Sequence, residues 1–196
     1  RQAFNMSDES DATRDRYGRS KFGQSVLLSR RLVEAGVSLV QVNWQQIEGK
    51  ENNGSWDTHK DHNASLKDFL MPMMDQTFSA LIEDLEDRGM LDETLVVWGG
   101  EFGRTSDSQG NGTGRDHNPN AFTMWFAGGG IKGGAQYGRT DDFGYKAIEN
   151  RTSVHDLHAT VLHLMGLDHE KLTYRHNGRD FRLTDVAGNL IHDILG

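Results

Sequence analysis

Residues 56–62, with the sequence WDTHKDH, concentrate side chains that could hold a metal ion. Asp and His supply the oxygen and nitrogen atoms that bind zinc and harder divalent cations. We therefore expect Asp57 and His59 to be metal ligands. The alternative interpretation is that Asp57 or Thr58 caps the helix that follows, with the histidines in solvent.

A second polar segment, residues 100–104 with the sequence GEFGR, follows an apolar run directly. Glu101 is placed to bind a metal or to move a proton, and the flanking glycines let the backbone approach a ligand closely. Arg104 could stabilise negative charge on a substrate. The alternative is a tight turn in which Glu101 and Arg104 form a surface ion pair.

The third segment, residues 115–119, reads RDHNP. Asp116 and His117 could bind one cation together or orient each other, and the planar fork of Arg115 suits an anionic oxygen. A neighbouring Asp and His in a loop is also common without any site. The three segments argue more strongly for a metal site together than any does alone.

The elements that must position these segments alternate between helix and strand. Apolar spacings of three and four predict helices, and β-rich runs predict strands. The predicted helices are 20–36, 62–88, 153–165 and a short one within 185–195; the predicted strands are Val37–Trp44, Thr94–Trp98 and Phe122–Ala127. Residues 99–120 are predicted to be one long loop.

This alternation predicts an α/β fold with a mostly parallel sheet flanked by helices. Ligands of such sheets bind outside the carboxyl ends of the strands, and the loops after Trp44 and Trp98 both leave strand ends. Residues 1–19 are polar and are interpreted as an arm or linker. Residues 20–196 are interpreted as the α/β domain.

Composition limits the classes of partner. The 196-residue chain has a net charge of −8, nine histidines and no cysteine. A metal must therefore be held by His, Asp or Glu, and sulfur-based zinc sites are excluded. The negative charge disfavours nucleic acid as a partner, and no apolar run is long enough to span a membrane.

Several ordered motifs resemble a known family. Residues 85–97 (LEDRGMLDETLVV) resemble the helix-to-strand passage of sulfatases, and residues 156–167 resemble one of their later helices. Residues 56–59, 100–105, 114–117 and 127–134 resemble, more closely, a sulfatase-like bacterial family known as domain of unknown function fifteen-oh-one. The resemblance covers nearly the whole chain.

The resemblance implies an alkaline phosphatase-like fold that is incomplete at its N-terminus. It implies metal-ligand roles for Asp57, His59, Glu101 and His117, with Asp116 beside them, whereas Phe102 stands where a further ligand is usual. The nucleophile of that superfamily comes from an earlier strand, and no such segment is recognisable before residue 20. The resemblance also implies a periplasmic or exported protein.

Two functions are expected from these observations. The first is metal-dependent hydrolysis of a sulfate or phosphate ester of a small molecule or glycan. Zinc, calcium or magnesium would act as Lewis acid, with Arg104 or Arg115 stabilising the developing charge. The second is a non-catalytic exported binding protein on a degenerate sulfatase scaffold, because a fold does not fix a function.

Overall fold

A computed structural model describes residues 1–50, 54–109 and 111–196. The chain divides into two compact units. The first comprises residues 1–94 and 104–118, and the second comprises residues 95–103 and 119–196. No helix among the described residues is long and apolar enough to cross a membrane.

The first unit is mainly helical. Its helices are α1 (Asp11–Arg16), α2 (Lys21–Glu34), α3 (His62–Ser65) and α4 (Met71–Asp87). One face of α2 packs on α4, where Val26, Leu27, Leu81 and Leu85 are buried, so the apolar stripes face each other as their spacing predicts. Tyr17, which ends α1 within the polar N-terminal segment, is fully buried.

The predicted helix 62–88 is confirmed in type but is not uniform. A π-helical turn at Leu66–Leu70 separates α3 from α4. Pro72 stands in the first turn of α4, and it cannot donate the backbone hydrogen bond that a regular helix requires there. A local π turn accommodates the missing bond without ending the helix.

A hairpin completes the first unit. Its strands are β2 (Gly103–Gln109) and β3 (Gly114–Asn118), which pair with each other. Both strands lie inside the segment that the sequence predicts to be a loop. The prediction missed them because glycine-rich polar residues show no apolar alternation by which a strand is recognised.

The second unit contains one helix and three further strand pairs. The helix is α5 (Val154–Leu164), whose predicted capping box is present because Ser153 and Asp156 satisfy each other's backbone N–H groups. The strand pairs are β1 (Val96–Trp98) with β4 (Trp125–Ala127), β5 (Arg139–Thr140) with β6 (Ala147–Glu149), and β7 (Thr173–His176) with β8 (Arg179–Arg182).

The predicted mostly parallel, alkaline phosphatase-like sheet is wrong. Every sheet among the described residues has two strands, and β1 pairs antiparallel with β4. Residues 37–44 form no strand at all, and Leu39 is 74% exposed. Alternating apolar residues indicate a strand only when a partner completes the ladder, and the sequence pattern does not supply that partner. The predicted short helix near the C-terminus is reduced to a 3-10 turn, His192–Ile194.

Candidate metal centre

Three of the predicted metal ligands meet in the first unit. Asp57 Oδ1 lies 3.0 Å from His59 Nε2 and 3.0 Å from His117 Nε2, and the two Nε2 atoms are themselves 3.0 Å apart. All three side chains are partly exposed, at 59%, 38% and 41% respectively. The three donor atoms therefore form an open, near-equilateral triangle that solvent can reach.

Hairpin β2–β3 brings His117 to the other two residues. The Arg115 N–H donates to the Thr58 carbonyl (3.0 Å), and the His62 N–H donates to the Thr113 carbonyl (2.8 Å), so the start of β3 runs along residues 58–62. A glycine is required at this crossing: a Cβ on Gly114 would lie 1.9 Å from the His59 carbonyl oxygen. Backbone contact thus fixes the two segments against each other.

A hydrogen bond between the side chains of Thr58 and His62 stabilises the segment 58–62. Thr58 is 1% exposed, and its Oγ1 lies 2.6 Å from His62 Nδ1. Burial lowers the pKa of His62, and the positive charges of Arg115 and Arg104 lower it further. The neutral form of His62 is therefore favoured, and its side chain serves as a structural partner of Thr58.

Arg104 holds Asp57 in place. Its Nη2 donates to Asp57 Oδ1 (2.6 Å) and to the Trp56 carbonyl (3.1 Å), and its Nη1 donates to the Arg115 carbonyl (3.3 Å). The hydrogen bond from Arg104, followed by that from His117, lowers the pKa of Asp57 to about 2. Asp57 is consequently a carboxylate, the form that binds cations, at every physiological pH.

Gln109 is a partner that the sequence did not single out. His59 Nδ1 lies 2.6 Å from Gln109 Oε1. An amide oxygen only accepts, so the Nδ1–H of His59 donates and a neutral His59 presents a bare lone pair at Nε2. Histidines that bind metals commonly donate their other N–H in this way. Sequence analysis could have identified Gln109 only from its position at the end of β2, and that strand is known only from the structure.

The remaining predicted site residues contribute no donor atom to the triangle. Asp116 turns its Oδ1 back to accept the His117 N–H (2.7 Å), which steadies the backbone of His117. Arg115 donates from Nη1 to the Ser106 carbonyl. Glu101 is exposed and belongs to the second unit. Among the described residues, the cluster of potential ligands consists of Asp57, His59 and His117.

The spacing of the triangle matches the geometry of metal ligands. Neighbouring ligands of an octahedral cation with bonds of about 2.1 Å are about 3.0 Å apart, whereas tetrahedral zinc separates them by about 3.4 Å. Two imidazoles and one carboxylate are ligands that first-row divalent metals accept, and calcium and magnesium prefer oxygen alone. The three residues could therefore hold a first-row divalent metal.

The family model for proteins of unknown function, DUF1501, matches residues 1–195. The chain belongs to this family. No curated protein and no solved structure matches it in the corresponding comparisons. The expected domain of unknown function is thereby confirmed, and the sulfatase relationship stays a prediction.

Proposed function

We propose that Asp57, His59 and His117 bind a divalent metal and that the protein is a metal-dependent hydrolase of sulfate or phosphate esters. The observation that carries the metal site is the meeting of one carboxylate oxygen and two imidazole nitrogens, each 3.0 Å from the other two. With Nδ1–H donated to Gln109, neutral His59 turns its Nε2 lone pair toward the carboxylate oxygen of Asp57, 3.0 Å away. A bound cation would accept this lone pair together with the Asp57 carboxylate and His117.

Support for hydrolysis comes from the surroundings of the triangle. A bound divalent metal would supply Lewis acidity toward an ester oxygen and would activate water. Arg115 uses one of its five N–H donors on Ser106, so others can face an anionic ester oxygen. Arg104 is engaged by Asp57 and two carbonyl groups, so we assign it to positioning the carboxylate.

Metal binding is tested by titrating the EDTA-treated protein with Mn²⁺, Fe²⁺, Zn²⁺, Ca²⁺ and Mg²⁺ in a calorimeter. We expect a first-row metal to bind at one per chain, with calcium and magnesium much weaker. His117→Ala should weaken that binding at least about 100-fold, because it removes one of three ligands. His158→Ala, an exposed histidine on α5, is the matched control and should bind normally. Equal affinity of the two variants would refute the site.

Catalysis is tested separately with aryl sulfates and aryl phosphates, using the natural protein loaded with the metal that binds best. Turnover that disappears in His117→Ala and persists in His158→Ala supports the hydrolase. Metal binding without turnover on either ester would instead favour the non-catalytic binding protein. The engagement of Arg104 by Asp57 is the observation that keeps this second function under consideration.

A further inference from the structure

A cleft of about 260 Å³ lies in the first unit, beside the start of α2. It is lined by residues 20–25 on one side and residues 43–48 on the other, and Met73 of α4 also contributes. None of the proposed metal ligands lines it. The volume is somewhat below that of clefts that hold drug-sized molecules, so a ligand of about one ring fits.

One wall of the cleft is a rigid aromatic surface. Trp44 packs against Phe22, with ring centroids 4.7 Å apart and planes inclined at 50°, and Trp56 meets its edge at 5.6 Å. The Nε1–H of Trp44 donates to the Gly54 carbonyl (3.1 Å), which fixes the indole in the ring plane. Such a wall offers apolar contact at little conformational entropy cost.

The polar lining consists mainly of neutral side chains with unused hydrogen-bonding capacity. Asn43 accepts from Gln41 through Oδ1, so its amide N–H groups remain available. The exposed amide of Gln45 hydrogen bonds to none of the described residues, and Ser20 accepts from the Gly23 N–H and keeps its own O–H. The lining therefore offers both hydrogen-bond donors and acceptors beside the aromatic wall.

The charges of the residues that line the cleft limit the chemical class of ligand that it can bind. Lys21 and Glu48, one cation and one anion, are the charged residues among those that line the cleft. Binding of a phosphorylated ligand would require an excess of cationic donors, and binding of a fatty acyl chain would leave the amides without partners. A neutral ring that carries several hydroxyl groups satisfies the amides and lays its C–H face on Trp44.

We propose that this cleft is a saccharide-binding site, with Trp44 as the platform and Asn43 and Gln45 as hydroxyl-recognising groups. The site is independent of the metal proposal. A small ligand that buries one ring face and makes a few hydrogen bonds binds weakly, so we expect dissociation constants in the millimolar range.

The test is a titration of the protein with glucose, galactose, mannose and N-acetylglucosamine, followed by tryptophan fluorescence and saturation-transfer NMR. At least one sugar should shift the fluorescence saturably and receive saturation from aromatic protons. Gln45→Ala should weaken that sugar about fivefold, as loss of one hydrogen bond of roughly 1 kcal/mol requires. Trp44→Ala should abolish binding.

Two controls make the result decisive. Trp125→Phe alters a tryptophan of the second unit and should leave sugar binding unchanged. His117→Ala should also bind sugar normally, which separates this proposal from the metal site. Because Gln45 is exposed, its variant tests the site even if Trp44→Ala fails to fold. Absence of a saturable signal with all four sugars, or equal affinity of Gln45→Ala and the unchanged protein, overturns the proposal.

Discussion

His59 Nδ1 donates to Gln109 Oε1 across 2.6 Å, and this one hydrogen bond determines which atom His59 presents to the candidate metal centre. The two residues are 50 positions apart and lie on different elements, the loop before α3 and the end of β2. The hydrogen bond orients the imidazole ring and exposes the Nε2 lone pair to the triangle. Gln109 therefore acts on the site through His59.

We predict that Gln109→Ala weakens metal binding by about 10–100-fold, the usual effect of removing the partner of a histidine ligand. Gln109→Glu should restore most of the affinity, because a carboxylate also accepts the His59 N–H. Gln45→Ala serves as the matched control and should bind metal normally. Calorimetric titration measures all three, and a Gln109→Ala variant with unchanged affinity would show that His59 needs no such partner.

Arg104 is predicted to be the main cause of the low pKa of Asp57. Arg104→Met should raise that pKa from about 2 toward the ordinary aspartate value, because the guanidinium hydrogen bond is the largest contribution. His117→Ala should raise it less. Carboxyl ¹³C chemical shifts followed against pH in the metal-free protein give both values. A larger change in His117→Ala than in Arg104→Met would contradict this assignment.

The close crossing at Gly114 gives a third prediction. Gly114→Ala should lower the melting temperature and weaken metal binding, because the added methyl group meets the His59 carbonyl and must push the two segments apart. Gly133→Ala is the control, since a Cβ there meets no atom within 4 Å. Differential scanning calorimetry and metal titration report the two effects. If Gly114→Ala and Gly133→Ala have the same melting temperature, the crossing accommodates a methyl group that the structure indicates it excludes.

A buried ion network is predicted to stabilise the first unit. Arg30 has a 1% exposed side chain and lies 2.8 Å from Glu9, 2.6 Å from Glu34 and 2.8 Å from Asp84. The Nε–H of Arg30 does not point at Asp84 and makes no hydrogen bond to it. The Tyr17 hydroxyl donates to the same Asp84 carboxylate (2.8 Å). Arg30→Met would remove the buried cation that Glu9 and Asp84 share, although Arg31 still pairs with Glu9 and Arg88 with Asp84.

We expect Arg30→Met to lower the free energy of unfolding by about 2–3 kcal/mol, less than for a buried charge left without any partner, because Arg31 and Arg88 remain beside Glu9 and Asp84. Arg16→Met, whose partners Glu83 and Asp87 are exposed, should cost no more than about 1 kcal/mol. Urea denaturation followed by circular dichroism compares the two. Similar losses would mean that the Arg30 network contributes no more than a surface pair.

The same network predicts loss of stability in acid. Burial raises the pKa of Glu9 and Asp84, but the hydrogen bonds and charges of their arginine partners outweigh it, so both folded-state pKa values are lowered. The resulting stabilisation is complete above the unfolded-state values, about 4.3 and 3.9. It disappears as the pH falls through the lower folded-state values.

Urea denaturation should therefore give a nearly constant free energy of unfolding from pH 7 to about pH 5 and a falling one below about pH 4. Arg30→Met should show a shallower acid loss, because its carboxylates titrate closer to their ordinary range. A free energy of unfolding that is constant or rises between pH 5 and pH 3 would contradict the lowered pKa values.

The helices were predictable because their determinants are local. The stripe that includes Leu81 and Leu85 fixes α4, and the Ser153–Asp156 capping box fixes the start of α5, through bonds that span three or four residues. The types of the candidate ligands, Asp57, His59 and His117, are likewise legible in the sequence. Their role as ligands stays a prediction, whereas their proximity is a property of the structure.

Strand pairing was not predictable, and the predicted route to the site failed with it. The hydrogen-bonding partner of β1 lies nearly 30 residues away, and nothing within Val96–Trp98 distinguishes a parallel partner from the antiparallel one it has. The ligands meet because β3 crosses residues 58–62 at Gly114, instead of at the carboxyl edge of a parallel sheet. The sequence thus determined the helices and the chemical types of the donors. Only the tertiary structure decided which donors meet and that Gln109 orients His59, because those contacts join residues some 50–60 positions apart.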